Sequence, residues 1–249
     1  MSGHSKWAGI KHKKTAVDAK RGKVFTKLIK EITVAARLGG GDVASNPRLR
    51  GAVQAARAAN MPQENVQRAI KKGTGELPGV SYEEARYEGY GPGGVAVLVD
   101  IMTDNKNRTT SEVRHIFSRA AGSLGDPGSV AWMFEKKGLI TVEQSVAEED
   151  EILALALDAG AEDVRPAGDV YEIVTTPADF EKVKEAIAAR GYPTVLAEIS
   201  MMPKTTVRLE GKEAQQILRL MEMLEDHDDV QHVYANYDVP DEVFAELHK

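Results

Sequence analysis

Between residues 15 and 38, apolar side chains recur at Val17, Val24, Phe25, Leu28, Ile29, Ile32, Ala35 and Ala36. Spacings of three and four put them on one face of a long helix, with Lys and Arg on the other. Gly39-Gly40-Gly41 stops that helix. Asn46-Pro47 then supplies an N-cap followed by proline at the first helical position. An alanine-rich helix runs to about Ala59, and Ala52, Ala55, Ala56 and Ala59 are small enough to let helices approach closely. Asn60-Met61-Pro62 turns the chain into a third helix that ends at Gly73. Residues 1–73 therefore read as a small helical domain.

Gly73-Thr74-Gly75-Glu76-Leu77-Pro78-Gly79 reads as a linker, and the periodicity changes after it. Strands at Tyr82–Tyr90 and Gly94–Thr103 are joined by Gly91-Pro92-Gly93. A helix opens at Thr109, with Thr109 and Glu112 spaced as a capping box. Val130, Trp132 and Phe134 alternate and predict a strand over Ser129–Glu135, and Lys136-Lys137-Gly138 reads as a turn. A strand at Leu139–Val142 precedes a helix with a second capping box, Ser145 and Glu148, that closes at Gly160. Strands near Asp163–Arg165 and Val170–Thr175, and a helix from Thr176-Pro177 to Gly191, come next. Strands at Val195–Met201 and Thr205–Leu209, a helix at Lys212–Glu225 and a strand at Val230–Asn236 complete the pattern.

The middle six elements follow the split β-α-β plan, and the outer elements can complete a second copy around it. The expected class is α+β multidomain. It has an N-terminal three-helix domain and two ferredoxin-like α/β domains, one inserted in the other. The expected boundaries are residues 1–78, then 79–136 with 204–249, and 137–203 inserted.

The net charge of the 249 residues is −6, which at first argues against nucleic acid. Its distribution reverses that. Up to Gly75 there are 16 basic residues against four acids, a balance of +12, and the remainder carries 16 against 34, or −18. A cationic segment on an acidic body is the pattern of a phosphate-binding module. Lys6, Lys11, His12, Lys13, Lys14, Lys20, Arg21, Lys23, Lys27 and Lys30 are the densest part, with Asp18 the sole acid among the first 30 residues. Trp7 can stack a base beside them. Arg48, Arg50, Arg68, Lys71 and Lys72 extend the set along the next two helices. The short turn between those helices also permits a helix-turn-helix reading, with Gln63, Asn65, Gln67, Arg68, Lys71 and Lys72 able to meet base edges. Asn105, Asn107 and Arg108 form a possible secondary contact loop, although turn and cap roles suit the stretch Asp104–Thr109 as well.

Other chemistries find little support. The absence of cysteine removes disulfides, zinc knuckles and thiol nucleophiles, and suits a reducing compartment. His4, His12, His115, His227, His232 and His248 show no metal-ligand spacing. No nucleophile elbow or phosphate loop occurs. Gly89-Tyr90-Gly91-Pro92-Gly93-Gly94 matches G-x-G-x-x-G, but a strand-like run follows it where a dinucleotide site needs a helix, so it reads as a hairpin. No cofactor, metal or membrane partner is expected. Glu148–Glu151 complements a helix N-terminus, whereas Glu225–Asp229 sits at the wrong end of its helix and reads only as solubilising.

Several motifs together are specific: Gly3-His4-Ser5-Lys6-Trp7; Asp18-Ala19-Lys20-Arg21-Gly22-Lys23; Asn46-Pro47-Arg48-Leu49-Arg50; Tyr87-Glu88-Gly89-Tyr90-Gly91-Pro92-Gly93-Gly94; and Asp104-Asn105-Lys106-Asn107-Arg108-Thr109 with Glu112-Val113-Arg114-His115. They resemble the YebC family nearly end to end. Lys106 departs from the arginine common there but keeps its charge. The mitochondrial relative is the translational activator of cytochrome c oxidase subunit I. The resemblance implies three domains and a non-enzymatic role in gene expression. That role is either a DNA-binding probable transcriptional regulator, or a ribosome-associated translation factor that binds ribosomal RNA and eases synthesis through proline-rich stretches. The motif begins at Gly3, so a bacterial cytoplasm is the expected location. A protein adaptor and a nucleotide-cofactor enzyme are weaker alternatives, and the oligomeric state is left open.

Overall fold

The structure is a computed structural model that describes residues 18–240 and Val243, with side chains from Gly22 onward. Helix α1 spans Asp18–Gly39, α2 Pro47–Ala58 and α3 Gln63–Gly73. Leu49, Ala52, Val53 and Ala56 of α2, and Val66, Ala69 and Ile70 of α3, bury against Ile32, Ala35 and Ala36 of α1. Asn46 joins two helix ends with one side chain. Its Oδ1 accepts from Leu49 N at 3.0 Å, and its Nδ2 donates to Ala35 O and Gly40 O at 2.8 Å each. Carbonyls left over at the end of α1 and an amide left over at the start of α2 are thereby satisfied together. Gly73 ends α3 against α1 so tightly that a Cβ there would lie 2.4 Å from Thr33 O.

The first sheet has the order β3-β1-β2-β9 and is antiparallel throughout, from β1 (Glu83–Tyr90), β2 (Ala96–Thr103), β3 (Ser123–Leu124) and β9 (Val230–Ala235). Helices α4 (Lys106–Arg119) and α7 (Gly211–Glu225) cover one face. Val97, Val99 and Ile101 meet Val113, Phe117, Ile217, Leu218 and Met221 there. Period-2 alternation along β2 sends Ala96 and Leu98 to the other face, where they pack with Val130, Phe134 and Tyr234.

The second sheet has the order β5-β6-β4-β7, from β4 (Phe134–Glu143), β5 (Ala161–Ala167), β6 (Val170–Thr175) and β7 (Thr194–Pro203). Helices α5 (Glu149–Ala159) and α6 (Phe180–Ala189) pack on Ile140, Val142, Tyr171 and Ile173. This is the split β-α-β plan expected from the alternation. Short β8 (Val207–Arg208) and β10 (Tyr237–Asp238) pair in parallel.

Four local expectations are corrected. Lys136-Lys137-Gly138 is no turn: β4 runs straight through it, pairing Gly138 with both Thr175 and Ile199. Glycine is needed there for closeness, because a Cβ would lie 2.2 Å from Thr175 Oγ1 and 2.6 Å from Phe180. Ser129–Glu135 is not a strand: Ala131–Met133 forms a 3-10 turn, Trp132 points outward at 67% exposure, and β4 begins at Phe134. Neither capping box forms. Asn105 caps α4 by accepting from Arg108 N, and Thr109 is buried inside the helix; no side chain caps α5. Of Thr205–Leu209, only Val207 and Arg208 are paired as strand.

Candidate nucleic-acid interface

Lys6, Trp7, Lys11, His12, Lys13 and Lys14 lie outside the described residues, and Lys20 and Arg21 are placed by backbone alone, in the first turn of α1. The remaining cations of the helical domain divide into two groups.

The first group points inward, at the α/β body. Lys23, Lys27 and Lys30 recur at i, i+4 and i+7, so they share one face of α1. That face meets the C-terminal end of α7. Lys27 Nζ donates to Glu225 O at 2.7 Å, Lys23 Nζ to Asp226 O at 3.0 Å and Lys30 Nζ to Asp228 O at 2.8 Å. The last carbonyls of a helix carry partial negative charge and lack intrahelical donors, so three ammonium groups are well placed there. Lys30 goes further. It is 6% exposed, and its Nζ lies 2.6 Å from Asp229 Oδ1 and 5.5 Å from the centre of the Tyr82 ring.

Asp229 is the hub of this junction. Its Oδ2 accepts from Thr109 Oγ1 at 2.6 Å, Arg108 Nη2 at 2.8 Å and Thr103 Oγ1 at 3.1 Å. Burial opposes its charge. Lys30, Thr109 and Arg108 outweigh burial and hold the carboxyl well below the usual carboxylate range. The acidic run Glu225–Asp229, read from sequence only as solubilising, is thus the receptor for α1. Its signal was present: acids at a helix C-terminus are unfavourable unless cations come to them. Arg48 adds a second contact, donating to both Glu31 and Glu84, which hold it charged. Arg37 donates to Ser81 Oγ and Tyr82 O.

The second group points outward. Arg50, Arg57, Arg68, Lys71 and Lys72 are exposed on α2 and α3. Arg68 pairs with Glu64 one turn earlier, and Arg50 donates to Ala44 O. Among the described residues Arg57, Lys71 and Lys72 have no anionic partner. Gln63 and Gln67 are exposed beside them on α3, and Asn65 is half-buried.

The secondary loop is a helix start. Asn105 is the N-cap of α4, Asn107 is exposed, and Arg108 spans Asp104 and Asp229. His227 Nδ1 accepts from Asp229 N at 3.1 Å and its Nε2 faces Glu112 Oε2 at 2.9 Å, so the histidine caps the turn between α7 and β9. Glu112, His227 and Asp229 bring ligand atoms within 4.8 Å of one another. Lys30 and Arg108 already neutralise Asp229, and Arg108 also lies 3.8 Å from Glu112, which leaves a poor cation site. The glycine-rich run connects β1 to β2 through a 3-10 turn at Pro92–Gly94, a hairpin that opens no helix. Among the described residues no helix is long and apolar enough to cross a membrane.

Sequence reasoning also missed Glu88. It is 7% exposed and accepts from the backbone N–H groups of Gly128, Val130 and Ala131 at 2.6–2.7 Å. Burial opposes its charge, but the three amides hold it below the usual range. It bends the chain before β4 and so produces the turn that presents Trp132.

Comparison with known proteins places both parts of this arrangement. Residues 5–76 match the family model described as the TACO1/YebC protein N-terminal domain, and residues 82–237 match the TACO1/YebC second and third domain. A probable transcriptional regulatory protein of Desulforapulum autotrophicum is 64% identical over 244 residues, covering 98% of this chain and 99% of its own. One from Syntrophobacter fumaroxidans is 64% identical over 248 residues, covering 99% and 100%. The crystal structure of a conserved hypothetical protein from Aquifex aeolicus superposes with a TM-score of 0.80 at 51% identity, covering 90% of this chain and 93% of that one.

Proposed function

The chain belongs to the TACO1/YebC family, and we propose that it acts as a non-enzymatic, nucleic-acid-binding regulator of gene expression. The observation that carries this is the separation of charge, +12 over the first 75 residues against −18 over the rest. The names of the relatives support a regulatory role. In this reading residues 1–78 are the binding module, and residues 79–249 form the acidic body with 137–203 inserted.

Phosphate contact belongs to the outward cations Arg50, Arg57, Arg68, Lys71 and Lys72, and to the run Lys6–Lys14 that precedes α1 in sequence. Lys23, Lys27 and Lys30 serve instead to fix the module on the body. DNA and ribosomal RNA both present the phosphate that this surface fits. An acidic body is repelled by a bare duplex but suits the basic proteins around ribosomal RNA, which favours the ribosomal setting.

The test is equilibrium binding of labelled nucleic acid across salt concentrations. If about six phosphates are neutralised, log K falls with log salt at a slope near −5 on duplex DNA and near −4 on a single strand. Lys71→Ala with Lys72→Ala, and separately a chain lacking residues 1–16, lower that slope. Removing residues 1–30 is no clean test, because it also removes the lysines that hold the junction. Salt-independent binding, or no binding, overturns the proposal. Sedimentation of a lysate then shows whether the protein travels with ribosomes or with DNA.

A further inference from the structure

Helix α5 is apolar on more than its inner side. Ile152, Ala156 and Ala159 are buried, and Leu155 packs with them on the second sheet. Leu153 and Leu157, one turn apart, turn away from that core at 37% and 46% exposure, with exposed Ala154 beside them. Val146 is exposed too, in the 3-10 turn that leads into the helix. A helix on the surface of a globular protein ordinarily turns a polar face to water. Its neighbour α6 does so, with Glu181, Lys182 and Glu185. The polar residues of α5 are all acids: Glu149, Asp150, Glu151 and Asp158. Glu151 holds Arg190, which follows α6, and Lys184 of α6 is held by Glu181. Among the described residues Glu149, Asp150 and Asp158 hold no cation. Asp158 stands in the last turn, where an acid is unfavourable unless a cation comes to it. The end of α7 has the same pattern, and there the lysines of α1 supply the cations. Residues 137–203, which include α5, hold five basic residues against 14 acids.

We propose that the outer face of α5 is a protein-docking surface, and that its partner is a Lys/Arg-rich amphipathic helix of another protein. Leu153 and Leu157 take the apolar stripe of that helix, and Asp150 and Asp158 take the cations beside the stripe. Charge and apolar surface together select this occupant. Nucleic acid and anionic lipid are repelled by acids that no cation offsets. A second copy of α5 would set the same acids against one another. The basic faces of α2 and α3 have no large exposed apolar side chain to meet the leucines, so the helical module of a second copy fits poorly as well. The inference goes beyond the nucleic-acid reading and does not depend on it: phosphate stays with the helical module, and the acidic body takes a basic protein.

The experiment uses the full chain and a fluorescein-labelled helical peptide of about 18 residues, with leucine at spacings of three and four and lysine elsewhere. Anisotropy compares it with a scrambled peptide of the same composition, which keeps the charge and loses the stripe. The parent should bind the striped peptide at least about tenfold more tightly than the scrambled one, and Leu153→Gln with Leu157→Gln should remove about that factor. Asp150→Asn with Asp158→Asn should weaken binding about threefold near 0.15 M salt and flatten its salt dependence. All four side chains are exposed, so the melting temperature should stay within about three degrees of the parent. Leu38→Gln, at an exposed leucine of α1, should change nothing. Equal binding of the two peptides overturns the inference, as does a leucine variant that matches the parent or an equal loss at Leu38. A parent dimer that the leucine variant dissociates gives the face to a second copy and overturns the choice of partner. So does much tighter peptide binding by a chain lacking residues 1–16, which would place the chain's own basic run there. If the parent binds the striped peptide but no nucleic acid, only the proposed function fails. If it binds nucleic acid but does not distinguish the peptides, only this inference fails.

Discussion

Lys30 of α1 reaches Asp229, the residue before β9, with 2.6 Å between Nζ and Oδ1 and both side chains more than nine-tenths buried. The two are 199 positions apart in sequence, so the basic helical module and the acidic body meet through a charge pair that is shielded from solvent. A surface pair would be worth little, but truncating one member of a buried pair strands the other.

Lys30→Ala or Asp229→Asn should each lower unfolding stability by about 3–5 kcal/mol, measured by denaturant titration. The double variant Lys30→Met with Asp229→Asn should recover part of that loss, because no uncompensated charge is left behind. A loss below about 1 kcal/mol in both single variants would show that the junction contributes little.

The same carboxyl gives a pH signature. The folded state holds Asp229 below its unfolded value of about 3.9. Its contribution is therefore fully present well above that pH, and it drains away as pH falls through the unfolded value towards the folded one. The stability difference between the parent and Asp229→Asn should narrow steadily from pH 5 to pH 2. A constant difference across that range would contradict the assignment.

Asn46→Ala removes the acceptor for Leu49 N and the donor for Ala35 O and Gly40 O. The expected loss is about 2 kcal/mol, from the cap and from the carbonyls left unpaired. Asn46→Asp keeps the acceptor but turns a second oxygen to those carbonyls, so it should not rescue. Thermal unfolding of the three chains orders them directly.

Glu88→Gln places an amide NH₂ where a carboxylate oxygen accepts backbone N–H. At least one of the Gly128, Val130 and Ala131 amides then loses its acceptor. Hydrogen exchange at these amides should quicken by at least tenfold while α1–α3 exchange as before. Unchanged protection would mean that the turn holds itself without the carboxylate.

Gly73→Ala drives a methyl to 2.4 Å from Thr33 O, a contact made by backbone on both sides. A loss of about 1–3 kcal/mol is expected despite the better helix propensity of alanine. A gain in stability would show that α3 can shift away from α1 at little cost.

Much of the fold was legible because the chain's periodicities are local. The spacing of three and four through Phe25, Leu28, Ile29 and Ile32 marks α1, and Asn46-Pro47 marks where α2 begins. The alternation in Val95–Val99 excluded a dinucleotide loop after the glycine run. The errors fell where a distant group set the local conformation. Glu88 bends Val130–Ala131 out of the strand that alternation suggests, and Phe180 demands the glycine that looked like a turn at Gly138. Thr109 looked like a cap until Asp229 took its hydroxyl into the core.

Sequence alone determined most of the helices and strands, the α+β class and the charge imbalance, because propensity, spacing and formal charge are properties of neighbouring residues. It could not sort the cations by role. Lys23, Lys27 and Lys30 are the same residue type as Lys71 and Lys72, and a lysine is a structural clamp or a phosphate contact according to what its ammonium faces. Tertiary structure decided that by bringing the carbonyl end of α7 and the buried carboxylate of Asp229 onto one face of α1, and by leaving the outer faces of α2 and α3 open to solvent.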